Sequence, residues 1–160
     1  MRIIGIDPGI ERTGFAILEL ANGKIKLLDC GRIHTDKKHP FSHRLNLLAS
    51  DLRELLRQWK PTAASIEQIF FSKNVKTAIN VSHARGVILE VLEEQGIEVA
   101  EFNPGQVKLA VTGDSKADKL QIRKMIQCLL GVGVKSDDAA DAIACGMCLL
   151  SNPALILKSA

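Results

Sequence analysis

The chain has 160 residues, 46% of them hydrophobic, and a formal net charge of +3. That is long enough for one domain with a sizeable core, too apolar for a disordered chain, and too interrupted by charge for a membrane span. The opening Met1-Arg2-Ile3-Ile4-Gly5-Ile6-Asp7 puts a carboxylate where a secretory leader needs apolar residues, so a cytoplasmic location is expected.

Residues 2–7 are short, β-branched and stopped by Pro8-Gly9, the pattern of a buried strand. Thr13 to Leu20 reads as a second strand, Asn22-Gly23 as a hairpin turn, and Lys24 to His34 as a third strand antiparallel to the second. From Phe41 to Trp59, Leu45, Leu48, Leu52, Leu55 and Leu56 fall on one helical stripe, and Pro61 stops it. Ala63 to Gln68 predicts a fourth strand, Ala78 to Gln95 a helix closed by Gly96, and Ile97 to Phe102 a fifth strand. Two further helices are expected, Lys116 to Leu130 ended by Gly131, and Asp137 to Leu150 with Ser136 as N-cap. The order β-β-β-α-β-α-β-α-α predicts one α/β domain over residues 1–160, a mixed five-stranded sheet with helices on its faces.

The acids are the most informative residues. Asp7 ends an apolar strand and Glu67 sits in another, where a carboxylate is costly unless paired or metal-bound. Strand alternation puts Gly5 on the face of Asp7, and Ser65 and Ala63 on the face of Glu67, so both acids have small neighbours. In Asp137-Asp138-Ala139-Ala140-Asp141, Asp138 and Asp141 share a helix face at i, i+3, and Asp137 and Asp141 do so at i, i+4. First-turn acids suit a helix dipole, which accounts for Asp137 and Asp138 but not for Asp141. Converging carboxylates with oxygen-only donors call for a hard divalent cation, Mg²⁺ or Mn²⁺. Two such ions held by Asp7 and the other acids would supply an activated water and stabilise the leaving oxygen of a phosphodiester.

The remaining motifs are weighed against that reading. Cys145 and Cys148 form a C-x-x-C inside an apolar helical run, where they read as small core side chains rather than ligands. From Pro104 to Lys135 the chain carries Lys108, Lys116, Lys119, Arg123, Lys124 and Lys135, opposed only by Asp114 and Asp118. Such a stretch suggests a polyanion-binding face.

Ile4-Gly5-Ile6-Asp7-Pro8-Gly9 with Thr13-Gly14 resembles the opening of the RuvC crossover-junction endonucleases. Ile66-Glu67-Gln68-Ile69-Phe70, Lys73-Asn74, Ala84-Arg85-Gly86, Gln106-Val107-Lys108 and Asp138-Ala139-Ala140-Asp141-Ala142 match later segments of that family in order. The resemblance implies a ribonuclease H-like fold and a homodimer. It implies resolution of four-way (Holliday) DNA junctions by paired symmetrical nicks, in recombination and repair, alongside a branch-migration motor. It implies Asp7, Glu67, Asp138 and Asp141 as catalytic metal ligands for two Mg²⁺, with Mn²⁺ a substitute. The extra Asp137 leaves open whether it or Asp138 is the ligand.

By the same resemblance Phe70 takes an aromatic position that acts on bases, with Phe71 the alternative ring, and Lys108 and Lys119 face the scissile DNA. Lys73, Asn74, Arg85, Lys116 and Arg123 complete the expected DNA-binding set, and the helix from Ala78 to Gln95 is the expected dimer interface, through Ala78, Ile79, Val81 and Val87. Three other readings compete, one of them a non-catalytic junction-binding module. The Asp7 loop also resembles the phosphate loop of sugar kinases and actin-like ATPases, which need two lobes. A related single-domain nuclease acting on another nucleic acid is the second rival.

Overall fold

The computed structural model describes residues 1–69 and 75–152. In chain order its elements are β1 (Arg2–Asp7), β2 (Arg12–Ala21), β3 (Lys24–His34), α1 (Phe41–Trp59), β4 (Ala63–Glu67), α2 (Val75–Glu94), β5 (Glu98–Phe102), α3 (Pro104–Thr112), α4 (Lys119–Leu130) and α5 (Asp137–Ser151). The strands form one five-stranded sheet in the order β3-β2-β1-β4-β5. Its first three strands are antiparallel, and β4 and β5 add in parallel to β1. The expected mixed sheet is therefore present. Asn22 at φ 53° and Gly23 at φ 73° make the β2–β3 turn, both left-handed as a two-residue hairpin requires.

Each face of the sheet buries its own core. Ile4, Ile6, Ile17, Ala64 and Ile66 pack under α1 and α2, against Leu48, Leu52, Leu56, Ile88 and Leu92. Ile3, Ala16, Leu18 and Ala63 pack on the other face under α5, with α3 and α4 outside it. Alternation along β1 explains the division, since Ile3 and Ile4 point to opposite faces. The expected helices on both faces are found.

The helix α3 was not anticipated. It starts with a reciprocal capping box, in which the Asn103 side chain accepts from Gln106 N and the Gln106 side chain accepts from Asn103 N, and Pro104 opens the first turn. The next helix begins at Lys119 rather than Lys116, because Asp118 is its N-cap. Lys116 thus lies in the preceding turn, its N–H bonded to Asp114 Oδ1 at 2.9 Å. Other bounds shift by up to three residues, with α2 starting at Val75 and β4 ending at Glu67. Among the described residues, no helix is long and apolar enough to cross a membrane.

Candidate active site

Asp7 and Glu67 end neighbouring parallel strands. Ile6 pairs with Ile66 in register, so the two acids leave the sheet side by side, on the face that Gly5 and Ser65 share. That face is covered by α5. At Gly5 a Cβ would run into Ala142 O and lie 2.8 Å from Gly146 N; at Gly14, the register partner of Asp7, it would run into Asp138 O. The helix therefore rests backbone-to-backbone on β1 and β2. A buried hydrogen bond from Ser65 Oγ to Cys145 O at 2.6 Å ties the same helix to β4. Asp138 and Asp141, in the first turns of α5, are thereby delivered beside Asp7.

The electrostatics register this meeting. Asp7 is pushed up to about 7, first by burial, then by the charges of Asp141, Glu67 and Asp138, with Lys119 opposing them. Glu67 is also raised, by burial and by Asp141, while Lys108 and Lys119 pull it down. Burial draws Lys119 down, but Asp141, Asp137 and Asp7 outweigh it and hold the ammonium above its ordinary range. Its Nζ lies 3.2 Å from Asp141 Oδ2 and 3.8 Å from Asp137 Oδ2.

Asp137 and Asp138, equivalent by sequence spacing, face different neighbours. Asp137 is ion-paired with Arg123 and Lys119. Asp138 is the one whose charge reaches Asp7. Among the described residues no three acids, histidines or cysteines form a ready-made cation shell. The donor set nevertheless fits a hard divalent cation. It is oxygen-only, its members repel one another, and an ammonium stands among them. His39 and His43, at an H-x₃-H spacing, pack edge-on at 5.0 Å, and no third ligand joins them among the described residues.

The model of the family described as crossover junction endodeoxyribonuclease RuvC matches residues 3–149. The chain belongs to the RuvC family. A relative of that name from Caldicellulosiruptor saccharolyticus is 43% identical over 98% of this chain and 96% of its own. One from Roseiflexus sp. is 45% identical over 92% of this chain and 89% of its own. Among solved structures, Thermus thermophilus RuvC in complex with Holliday junction substrate superposes with a TM-score of 0.88 at 29% identity, covering 94% of this chain and 93% of that one. The sheet and helices described above are thus the ribonuclease H-like fold of RuvC and related resolvases.

The basic residues expected to serve a RuvC enzyme divide into groups. Lys108 on α3 is close enough for its charge to lower Glu67, and Lys119 bridges Asp141 and Asp137. Arg123 is engaged with Asp137 and donates to Lys135 O at 3.1 Å. Arg85 is committed to Glu101 at 2.6 Å, on the β5 edge of the sheet. Lys116 is exposed in its turn. Phe70, Phe71, Lys73 and Asn74 lie outside the described residues. Sequence reasoning missed Arg12 and Arg32, which line the same groove as Lys119, Arg123 and Asp138. The signal was available in the hairpin register, which seats Arg32 across from Gly14.

Proposed function

We propose that this chain resolves four-way DNA junctions by paired, symmetrical nicks in recombination and repair, using divalent cations held by Asp7, Glu67, Asp138 and Asp141. The observation that carries the reading is identity of 43% to a RuvC relative across almost the whole of both chains. Mg²⁺ is the proposed cation, two per site, with Mn²⁺ a substitute, because hard oxygen donors select hard ions. When bound, the cations supply an activated water and stabilise the leaving oxygen of the phosphodiester. The protein's own groups do the rest. Asp7, flanked by Glu67, Asp138 and Asp141, concentrates negative charge at one point. Lys108 and Lys119 balance it and bring positive charge to the scissile phosphate.

A homodimer belongs to the same proposal, since a two-fold pair of sites matches the two equivalent strands of a junction. An apolar groove of about 570 Å³ between α1 and α2, lined by Leu45, Ile79, Gly86 and Val87, supports α2 as the interface. Cooperation with a branch-migration motor, and action in the cytoplasm, are further parts of the proposal, supported by family membership.

The test is cleavage of a synthetic mobile junction in Mg²⁺, with linear duplex as control. Symmetrical nicks in the junction and intact duplex are expected. Asp7→Asn should abolish cleavage and leave junction binding in place. Equal cleavage of the linear duplex, or loss of binding together with cleavage in Asp7→Asn, overturns the proposal.

A further inference from the structure

Cross-strand register partners project to the same face, and one row of this sheet runs Asp7, Gly14, Arg32 across β1, β2 and β3. Gly14 contributes no side chain, and its place is filled by Asp138 O. The next side chain along the row from the catalytic acids is therefore Arg32, two strand spacings away, or about 10 Å between Cα atoms. Arg12, two residues before Gly14, projects to the same face.

Both arginines line a groove of about 830 Å³ that reaches Asp138 and is also lined by Lys119, Arg123 and Lys135. The acids of this groove are largely spoken for. Glu11 pairs with Lys37 at 2.8 Å, and Asp137 with Arg123 and Lys119. No carboxylate among the described residues forms an ion pair with Arg12, Arg32 or Lys135. All three are exposed. Unpaired cations gathered along one groove repel one another, and a chain of phosphates relieves that repulsion at several points at once.

We infer that this groove seats the phosphodiester backbone of the strand being cut, with Arg32 on a phosphate within about three nucleotides of the scissile one and Arg12 beside it. Consecutive phosphates of one strand advance about 3.4 Å along the axis and lie farther apart along the backbone itself, so roughly 10 Å spans at most three. Arg32 is a binding residue here and does not touch the reacting atoms. The inference rests on the reading that Asp7 marks the cutting site.

The test measures junction binding in Ca²⁺, over a salt series, for the whole protein and its Arg32→Gln and Arg32→Lys variants. Arg32→Gln should weaken binding by about tenfold and lower the log–log salt slope by about 1; Arg32→Lys should keep the slope. Neutral methylphosphonate linkages placed singly along the cleaved strand identify the phosphate. The wild-type protein should lose affinity when one linkage within about three positions of the cut is neutralised, and Arg32→Gln should be indifferent to that same linkage. If Arg32→Gln keeps the wild-type slope, or stays as sensitive as wild type to every linkage, the inference fails. A wild-type protein that binds but does not cut the junction would instead sink the functional reading, and the salt slopes would then decide only whether Arg32 holds a phosphate.

Discussion

In the folded chain Asp7 holds its proton up to about pH 7, whereas an ordinary aspartate releases it near 3.8. Between those values the folded state binds more protons than the unfolded one, so stability falls as pH rises across that window and then levels off. The carboxylate is therefore unfavourable to the metal-free fold at neutral pH and above. Asp7→Asn should be more stable than wild type in chelator at pH 8, with a ceiling of about 4 kcal/mol, and the gap should close towards pH 4. Urea melts across this range check it; a gap that does not change with pH would show that burial and the neighbouring acids do not hold the proton on Asp7. At this scale the sequence was informative where an acid lacked a structural excuse, as Glu67 in a strand and Asp141 inside an apolar helix do. It was silent on Asp137 against Asp138, because both share a helix face with Asp141. What separates them is Arg123, on a different helix, whose proximity to Asp137 no local spacing reveals.

Among the elements, α5 sets the geometry of the site, and it does so through main-chain contact at Gly5 and Gly14. Backbone atoms cannot swing aside as a side-chain tip can. Gly5→Ala should therefore lift the helix and cost about 1–3 kcal/mol of stability. Because displacements near 1 Å can cost about 100-fold in rate, cleavage should fall by about that factor while junction affinity holds within a few fold. Thermal melts, cleavage rates and binding on one preparation decide it, and unchanged cleavage would show that α5 does not position the acids. Strand and helix periods made most elements readable. α3 was missed because its nine residues are too few to show an apolar stripe. Its start signal, Asn103-Pro104-x-Gln106, was nonetheless written in the chain. Asp118-x-x-Gln121 likewise marked where α4 begins.

For the molecule as a whole, the mixed sheet and its two helical layers followed from the order of elements, since a meander followed by parallel additions leaves few arrangements. What covers the outside of α2 did not follow, because its apolar residues serve the core on one side and leave Ile79 48% exposed on another. In the proposed dimer that side chain is buried. Ile79→Asp should shift the protein from dimer to monomer in sedimentation. Its own fold should change by no more than about 0.5 kcal/mol, the range for surface substitutions, and paired nicking should give way to single nicks. A variant that still sediments as a dimer places the interface elsewhere.

The β2–β3 turn has a practical side. Lys24, just past its two left-handed residues, is exposed, and the turn closes the end of the sheet opposite Asp7. β2 is 10 residues long, so at about 3.3 Å per residue the turn stands roughly 25 Å from the acids. A fluorophore attached there rides on the protein without entering its chemistry. On a two-fold pair, two such labels become a ruler, and the distance between them reports how the protein holds the arms of a junction apart as it works.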